Sequence, residues 1–183
     1  MDSASLCAAR LSQQGILVMA SKVLFQTTLG DFTLELDDAK APVTVANFLQ
    51  YVDDQHYHGT IFHRVINNFM IQGGGFEPGM KQKKTRPPIN NESANGLQNK
   101  RGTIAMARTP DPHSASAQFF INVVDNSFLD RANAQDGHGY CVFGKVVAGM
   151  DTIDKIKAVQ TGKRAGHADV PIEDVLVIAA TRI

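Results

Sequence analysis

FHRVINNFMIQGG, residues 62–74, is the stretch of sequence that decides the fold. It contains two short runs with the period of two that is typical of β-strands. This period places two sets of side chains on shared faces: Phe62, Arg64 and Ile66 in the first run, and Met70 and Gln72 in the second. Arg64 and Gln72 stand where a purely structural strand would keep apolar residues. One cation and one amide beside apolar side chains suit a site that holds a peptide, and not a metal ion or a phosphate.

The pattern of the remaining chain predicts a mainly β protein with two helices. A hairpin is predicted over residues 23–36, with its tight turn at Gly30-Asp31. Pro42 suits the first turn of a helix whose apolar residues repeat at helical spacing: Val45, Phe48, Leu49 and Val52. A second helix is predicted at about 149–158. The other predicted strands lie at about 60–66, 69–73, 103–107, 117–122, 140–147 and 174–181.

Length and composition describe one ordinary globular domain. The chain has 183 residues, enough for a sizeable core, with 43% hydrophobic and 20% charged residues. This balance is not that of a disordered or fibrous protein. The formal net charge is +0, so no overall field indicates nucleic acid or a membrane as a partner.

Residues 1–21 form a poorly patterned segment ahead of the predicted domain at 22–183. Their apolar run at 15–20 is shorter than the core of a secretory signal, and the expected cationic start is missing. Two interpretations stay open: Met19 is the real initiator, or the segment is a disordered or targeting extension. Cys7 and Cys141 provide no disulfide framework, and Cys141 is interpreted as a small buried hydrophobe. A reducing, cytoplasmic location is expected.

The stretch at 62–74 resembles the cyclophilin signature. Four further blocks follow in that family's order: Gly102–Ala107, Ser116–Asn122, Asn126–Asp130 and Tyr140–Val146. The similarity runs from Lys22 to the C-terminus, and residues 73–81 are most similar to the compact bacterial branch. The resemblance implies a closed eight-stranded antiparallel β-barrel capped by two α-helices, with a ligand groove on its outer surface. It also implies that residues 76–101 make a long ordered excursion near the groove.

The resemblance implies a peptidyl-prolyl cis-trans isomerase that needs no cofactor and no metal. Its substrates would be unfolded or flexible proline-containing polypeptides. The residues implied as catalytic are Arg64, Gln72 and Phe120. Those implied as substrate-binding are Phe69, Met70, Ala107, Arg108, Gln118, Phe128, Leu129 and Tyr140. Alternation independently allows Gln118 and Phe120 to share a strand face, with Phe119 and Ile121 facing the core.

Three positions depart from the family's frequent pattern. Phe128 stands where eukaryotic members usually carry Trp, and this chain contains no Trp. The missing indole N–H predicts weak cyclosporin binding with isomerase activity retained. Tyr140 replaces a frequent His and Arg108 a frequent Asn. Both are expected at the rim of the groove, where they would affect peptide preference.

Other functions fit the sequence less well. A proline-peptide binding module or chaperone with little catalysis would gain little from Arg64. A zinc site at His56, His58 and His63 lacks a completing carboxylate or cysteine at a recognisable spacing. The basic residues at 81–86 are interpreted as a solvated loop, because no aromatic residues interleave with them. A monomer is expected, since no extended apolar patch is apparent.

Overall fold

The computed structural model describes residues 20–183, so Cys7 and nearly all of the predicted extension lie outside the described residues. Two α-helices lie within that range: α1 (Pro42–Asp53) and α2 (Met150–Lys157). The strands are β1 (Lys22–Thr27), β2 (Gly30–Leu36), β3 (Phe62–Ile66), β4 (Met70–Gly73), β5 (Phe76–Glu77), β6 (Lys81–Gln82), β7 (Thr103–Met106), β8 (Phe119–Asn122), β9 (Val142–Ala148), β10 (Thr161–Arg164), β11 (His167–Pro171) and β12 (Val177–Arg182).

Eight of these strands form one antiparallel sheet in the order β12-β1-β2-β9-β7-β8-β4-β3. The sheet curls strongly, so that the chain at the start of β3 meets the chain that leads into β12. At this seam Ile61 bridges Leu176, and the Phe62 N–H donates to the Val175 carbonyl at 3.0 Å. The predicted eight-stranded architecture with two helices is confirmed. These contacts, together with the packing of β11 against β3, cover part of the sheet edges, which would otherwise offer unpaired backbone groups.

The interior of the curled sheet is filled by aromatic and branched side chains. Phe25, Phe48, Tyr57 and Phe119 pack ring against ring, with centroids 5.2–6.2 Å apart. Both helices bury apolar side chains against this cluster, including Phe48 from α1 and Ile153 from α2. Because side chains fill the interior, a ligand cannot bind inside the curled sheet.

The first hairpin turns two residues earlier than predicted. Thr28 and Leu29 form the turn, and Gly30 already pairs with Thr27 in the ladder. The Thr27 hydroxyl closes the turn by accepting from the Leu29 N–H and donating to the Gly30 carbonyl. Gly30 serves a different purpose, because a Cβ there would lie 2.7 Å from the Thr152 hydroxyl oxygen of α2.

A distant carboxylate caps helix α1. Ala41, which precedes the helix, offers no capping side chain. Instead the Glu92 carboxylate accepts hydrogen bonds from the Val43 N–H at 3.2 Å, the Thr44 N–H at 2.8 Å and the Thr44 hydroxyl at 2.6 Å. These contacts satisfy orphan donors at the positive end of the helix dipole. They also fix the excursion at 76–101 to the barrel.

Two residues of the basic run are structural anchors, so its interpretation as a solvated loop was wrong for them. The Lys83 ammonium donates to the carbonyls of His56 and His58 at 2.7 and 3.0 Å. The Arg86 guanidinium pairs with Asp54. Lys81 and Lys84 are exposed, as the interpretation requires. The sequence pattern missed the anchors because their partners lie about 25–32 residues away.

Candidate functional site

One cross-strand row on the outer face of the sheet carries the candidate catalytic residues. Arg64 pairs with Gln72, Gln72 with Phe120, and Phe120 with Ala105 across neighbouring strands. Paired residues of an antiparallel ladder point to the same face. Since neighbouring strands lie about 4.8 Å apart, the backbones of Arg64 and Phe120 lie about 10 Å apart. Gln72 lies between them.

A β-bulge at His63 sets this row. Phe62 pairs with Gly73 and Arg64 with Gln72, so β3 contains one residue more than β4 at this point. Phe62 therefore faces the interior with Val65, while Arg64 faces outward. The expectation that Phe62 shares a face with Arg64 was wrong, because regular alternation cannot reveal an inserted residue.

The Arg64 side chain has no acidic partner in the described part of the chain. It is exposed, and within residues 20–183 no hydrogen bond or ion pair engages its guanidinium. Strand arginines on protein surfaces are usually paired with an acid. This one leaves its donors directed to solvent over the groove, where a ligand can accept from them.

A depression of about 150 Å³ with both polar and apolar lining lies beside the row. Its floor is a buried cluster of Met70, Phe120 and Leu129, against which Phe69 and Tyr140 pack. Nine of the eleven residues proposed from the sequence line this depression: Arg64, Phe69, Met70, Gln72, Ala107, Arg108, Phe120, Leu129 and Tyr140. Charged and amide groups thus border one side of a pocket whose floor is apolar, a combination that suits a small apolar ring joined to a polar backbone.

The other two proposed residues lie next to the depression and do not line it. The Gln72 side-chain amide donates to the Gln118 side-chain oxygen at 3.0 Å, which orients the amide nearest to Arg64. Phe128 is 57% exposed and stacks on Phe69, with ring centroids 5.6 Å apart and planes 24° apart. Phe128 therefore extends the apolar surface at the open side.

A buried polar network, which the sequence analysis did not identify, holds one wall of the pocket. Asp130 accepts from the backbone and side-chain N–H groups of Asn99 at 2.6 and 3.0 Å. Asn126 donates to the Asn122 side chain at 2.7 Å and to the Phe69 carbonyl at 2.8 Å. These bonds fix the turn that carries Leu129 against the strand that carries Phe120. The signal in the sequence was Asn122, a polar residue closing an apolar strand.

His63, the bulged residue, lies buried beside the groove. Its ring packs 4.5 Å from the Phe76 ring, and its Nδ1 atom has no hydrogen-bond partner. Burial, and then the neighbouring His167 and Arg64, lower the pKa of His63 to about 4. The imidazole is therefore neutral at physiological pH. A second depression of about 530 Å³ lies on this side and is lined by Arg64 and Gln72 of the row and by Gln118.

Arg108 is more deeply buried than its predicted position at the rim of the groove. Its side chain is only 3% exposed, and its guanidinium lies 4.4 Å from the centre of the Tyr140 ring. Tyr140 in turn meets Phe120 edge to face, with centroids 5.7 Å apart. Tyr140 forms the pocket wall, and the Arg108 guanidinium lies against it.

The histidines considered for zinc do not converge. His56 contacts the Gly74 carbonyl and His58 the Ala180 carbonyl, while His63 lies in β3. Among residues 20–183, no three His, Cys, Asp or Glu side chains are placed to hold a metal ion together. Neither helix of that range has the length and apolar character needed to cross a membrane.

Comparisons with known proteins identify the family of the chain. A family model described as cyclophilin type peptidyl-prolyl cis-trans isomerase/CLD matches residues 22–182. The chain is 61% identical over 160 residues to peptidyl-prolyl cis-trans isomerase B of Escherichia coli (strain K12), a match covering 87% of this chain and 98% of that protein. It is 58% identical over 161 residues to peptidyl-prolyl cis-trans isomerase cyp18 of Streptomyces antibioticus, covering 87% and 97% respectively.

A solved structure shows the same fold. The cyclophilin type isomerase of Cryptosporidium parvum, crystallised in the presence of the dipeptide Ala-Pro, superposes with a TM-score of 0.74 at 26% identity. The match covers 87% of this chain and 97% of that one. The chain therefore belongs to the cyclophilin-type peptidyl-prolyl cis-trans isomerases and has their activity.

Proposed function

We propose that the groove accelerates rotation about Xaa-Pro peptide bonds in unfolded or flexible chains, with Arg64 stabilising the twisted amide above the apolar pocket. The observation that carries this proposal is the Arg64 guanidinium, which has no hydrogen bond or ion pair to the described residues and lies on one cross-strand row with Gln72 and Phe120. The Cryptosporidium protein crystallised with Ala-Pro supports a proline dipeptide as the kind of ligand.

The reaction needs no covalent step. Rotation about a prolyl bond faces a barrier of roughly 18–20 kcal/mol, because it breaks the conjugation between the carbonyl and the nitrogen. The prolyl nitrogen regains its lone pair only in the twisted state. A guanidinium N–H that donates to this lone pair therefore binds the transition state more tightly than the planar ground state.

Magnitudes show that Arg64 does not act alone. A 10⁵-fold acceleration requires about 7 kcal/mol of transition-state stabilisation. One hydrogen bond from a charged donor contributes roughly 1.5–3 kcal/mol. The remainder must come from positioning and from the apolar pocket, which favours the less polar twisted amide. Met70, Phe120 and Leu129 are at most 8% exposed and supply that surface.

Gln72 and the backbone at Ala107 and Arg108 are assigned to orientation of the substrate chain. Gln72 lies between Arg64 and Phe120, and its bond to Gln118 leaves its oxygen free to accept. Phe69, Phe128 and Tyr140 complete the walls. We further infer that residues 22–183 are the catalytic domain, acting as a monomer in the cytoplasm without cofactor or metal; the family match over residues 22–182 supports the domain limits.

Isomerisation of a short Xaa-Pro peptide tests the role of Arg64. Arg64→Ala should lower kcat/KM roughly 10- to 100-fold, the value of one charge-assisted hydrogen bond. Arg64→Lys keeps the charge but loses the planar guanidinium. Its kcat/KM should lie between those of the native protein and Arg64→Ala. Arg101→Ala, at an exposed arginine paired with Asp154, is the matched control and should keep full activity.

The outcomes separate catalysis from simple binding. A folded Arg64→Ala variant with unchanged kcat/KM would contradict the assignment of the guanidinium. If the native protein bound the peptide without accelerating its isomerisation, a proline-peptide binding module or chaperone would be favoured instead.

A further inference from the structure

The Arg108 guanidinium is held by the turn at residues 136–139. Its Nε and Nη2 atoms both donate to the Gly139 carbonyl, at 3.1 and 2.8 Å, and its Nη1 donates to the Thr109 carbonyl at 3.0 Å. Nη2 also pairs with the Asp136 carboxylate. Four of the five N–H groups of this side chain are thus directed at the protein.

Asp136 organises the same turn. Its Oδ1 atom accepts from the backbone N–H groups of His138 and Gly139, at 2.9 and 3.1 Å. Hydrogen bonds from Arg108 and from these two N–H groups hold the pKa of Asp136 well below its usual range. The carboxylate is therefore ionised near neutral pH, where its pairing with Arg108 does not depend on pH.

The turn is pressed against the pocket wall. Gly139 has a φ of +63°, and a Cβ there would lie 2.7 Å from the Leu129 carbonyl oxygen. The next residue, Tyr140, donates its backbone N–H to that carbonyl at 3.0 Å. The position of this turn therefore determines where both Leu129 and Tyr140 stand relative to the pocket.

Side-chain contacts connect this turn with the floor of the pocket. Arg108 stacks under the Tyr140 ring at 4.4 Å, and the Tyr140 ring meets Phe120 at an interplanar angle of 77°. A cation against an aromatic face is an attractive contact, and an edge-to-face pair of rings is another. Asp136, Arg108, Tyr140 and Phe120 thus form one continuous series from the turn to the pocket floor.

We propose that Asp136 and Arg108 form a clasp that fixes the Tyr140 ring against Phe120 and so sets the width of the proline pocket. Arg108 is then a positioning residue. Its charge is compensated by Asp136 and its donors are occupied, so it does not read acidic side chains of the substrate. This inference rests on the proposed function only in taking the depression to be the proline pocket.

Lysine cannot replace this arginine. An ammonium group is compact and cannot donate in a fork to Gly139 and Asp136 while lying flat under a ring. Arg108→Lys should therefore release Tyr140 although the charge is kept. Because the pocket wall contacts the proline ring in both ground and transition states, the loss should appear mainly in KM. We expect KM to rise roughly three- to tenfold, as when one buried cation–π contact is weakened, with kcat changed by less than about twofold.

Tyrosine-selective NMR gives a readout independent of activity. The chain contains three tyrosines, and Tyr51 and Tyr57 are buried in the interior cluster, away from the clasp. In Arg108→Lys, only the Tyr140 ring resonances should shift, because the ring leaves the Phe120 edge. Asp136→Asn, at a more exposed position, should move the same resonances by a smaller amount. Arg101→Lys, at an exposed ion pair, is the control and should change neither KM nor these resonances.

Each outcome decides the proposal. Unchanged Tyr140 resonances and KM in Arg108→Lys would overturn it, as would a loss confined to peptides with an acidic residue beside proline, which would make Arg108 a reader of charge. A fall in kcat at constant KM would also overturn it. Should Arg108→Lys fail to fold, the Asp136→Asn spectra decide alone. The NMR readout stands even where Arg64→Ala leaves kcat/KM unchanged, so failure of the clasp and failure of the proposed function are distinguishable.

Discussion

Arg64 and Phe120 lie on one cross-strand row, two strands apart, with Gln72 paired to both. The backbone ladder thus fixes the relative positions of the Arg64 and Phe120 backbones. Only the side-chain torsions of these two residues remain free. The amide between them is oriented by Gln118, at 3.0 Å. The row can therefore be perturbed at one point without disturbing the sheet.

Gly75→Ala should act on this row through Gln118. A Cβ at Gly75 would lie 2.5 Å from the Gln118 Nε2 atom, and the backbone of Gly75 does not have positive φ. The flexible Gln118 side chain should move, which breaks its bond to Gln72. We expect kcat/KM for an Xaa-Pro peptide to fall roughly fivefold to tenfold, the value of one hydrogen bond. The midpoint of urea unfolding should change little.

Gly162→Ala is the matched control for this substitution. Its added Cβ would meet only Ile172, at an ordinary 3.8 Å, and it lies in β10, outside the row. It should keep native kinetics. Native kinetics in Gly75→Ala as well would show that the orientation of Gln118 does not matter to the reaction.

Acid should destabilise the protein through His63. Its pKa is about 4 in the folded protein against 6.5 for an ordinary histidine, so the unfolded chain takes up the proton first as pH falls. The neutral His63 side chain therefore makes its full contribution to the free energy of unfolding above about pH 6.5. This contribution, on the order of 3 kcal/mol, is lost as the pH falls from about 6.5 to 4. Urea unfolding across this pH range measures the loss.

His63→Phe removes the titrating group and should flatten the decline in unfolding free energy between these pH values. His113→Gln, at an exposed histidine, should leave the decline as it is. If His63→Phe declined as steeply as the native protein, the acid sensitivity would have another origin.

Phe128→Trp should strengthen cyclosporin binding. Phe128 is 57% exposed and stacked on Phe69, so the larger indole has room at the open side of the groove. The added N–H should tighten binding by roughly tenfold, the value of one hydrogen bond, while peptide isomerisation stays within about twofold. Titration calorimetry of both proteins checks this. Phe128→Tyr adds a polar group without the indole N–H, and equal tightening by tyrosine would refute the role given to that donor.

Glu92→Ala should destabilise the fold through helix α1. The Glu92 carboxylate accepts three hydrogen bonds at the N-terminus of α1, two of them from backbone N–H groups. We expect a loss of about 1–2 kcal/mol in unfolding free energy, with Glu92→Gln losing less. Asp151→Asn, in the exposed first turn of α2, is the control and should cost under about 0.5 kcal/mol. An equal loss at both sites would exclude a special role for the Glu92 cap.

The sequence predicts features that repeat at a fixed period, and the structure bears these out. Phe119 and Ile121 face the core while Phe120 faces the groove, as alternation requires. The hairpin turn was placed two residues late because Gly30 looks like a turn glycine, although it serves contact with Thr152. Phe62 was placed on the wrong face because a bulge leaves no trace in the alternation.

Features that join distant segments had almost no signal in the sequence, apart from Asn122, the polar residue that closes an apolar strand. The Glu92 cap spans 48–49 residues, and the Asp130–Asn99 bonds span 31. In the sequence Asp136 looks like an ordinary acidic residue of a loop, and only the structure shows that it pairs with Arg108. Such pairs are set by how the sheet closes, which no local pattern encodes.

The bulge at His63 also gives one strand two separate contacts. Before the bulge, Phe62 pairs with Gly73 of β4 and donates its N–H to the Val175 carbonyl, while Ile61 bridges Leu176. After the bulge, Arg64 pairs with Gln72 and its side chain lies on the face of the groove. A single inserted residue therefore lets β3 join two distant parts of the chain at one end and carry the guanidinium at the other.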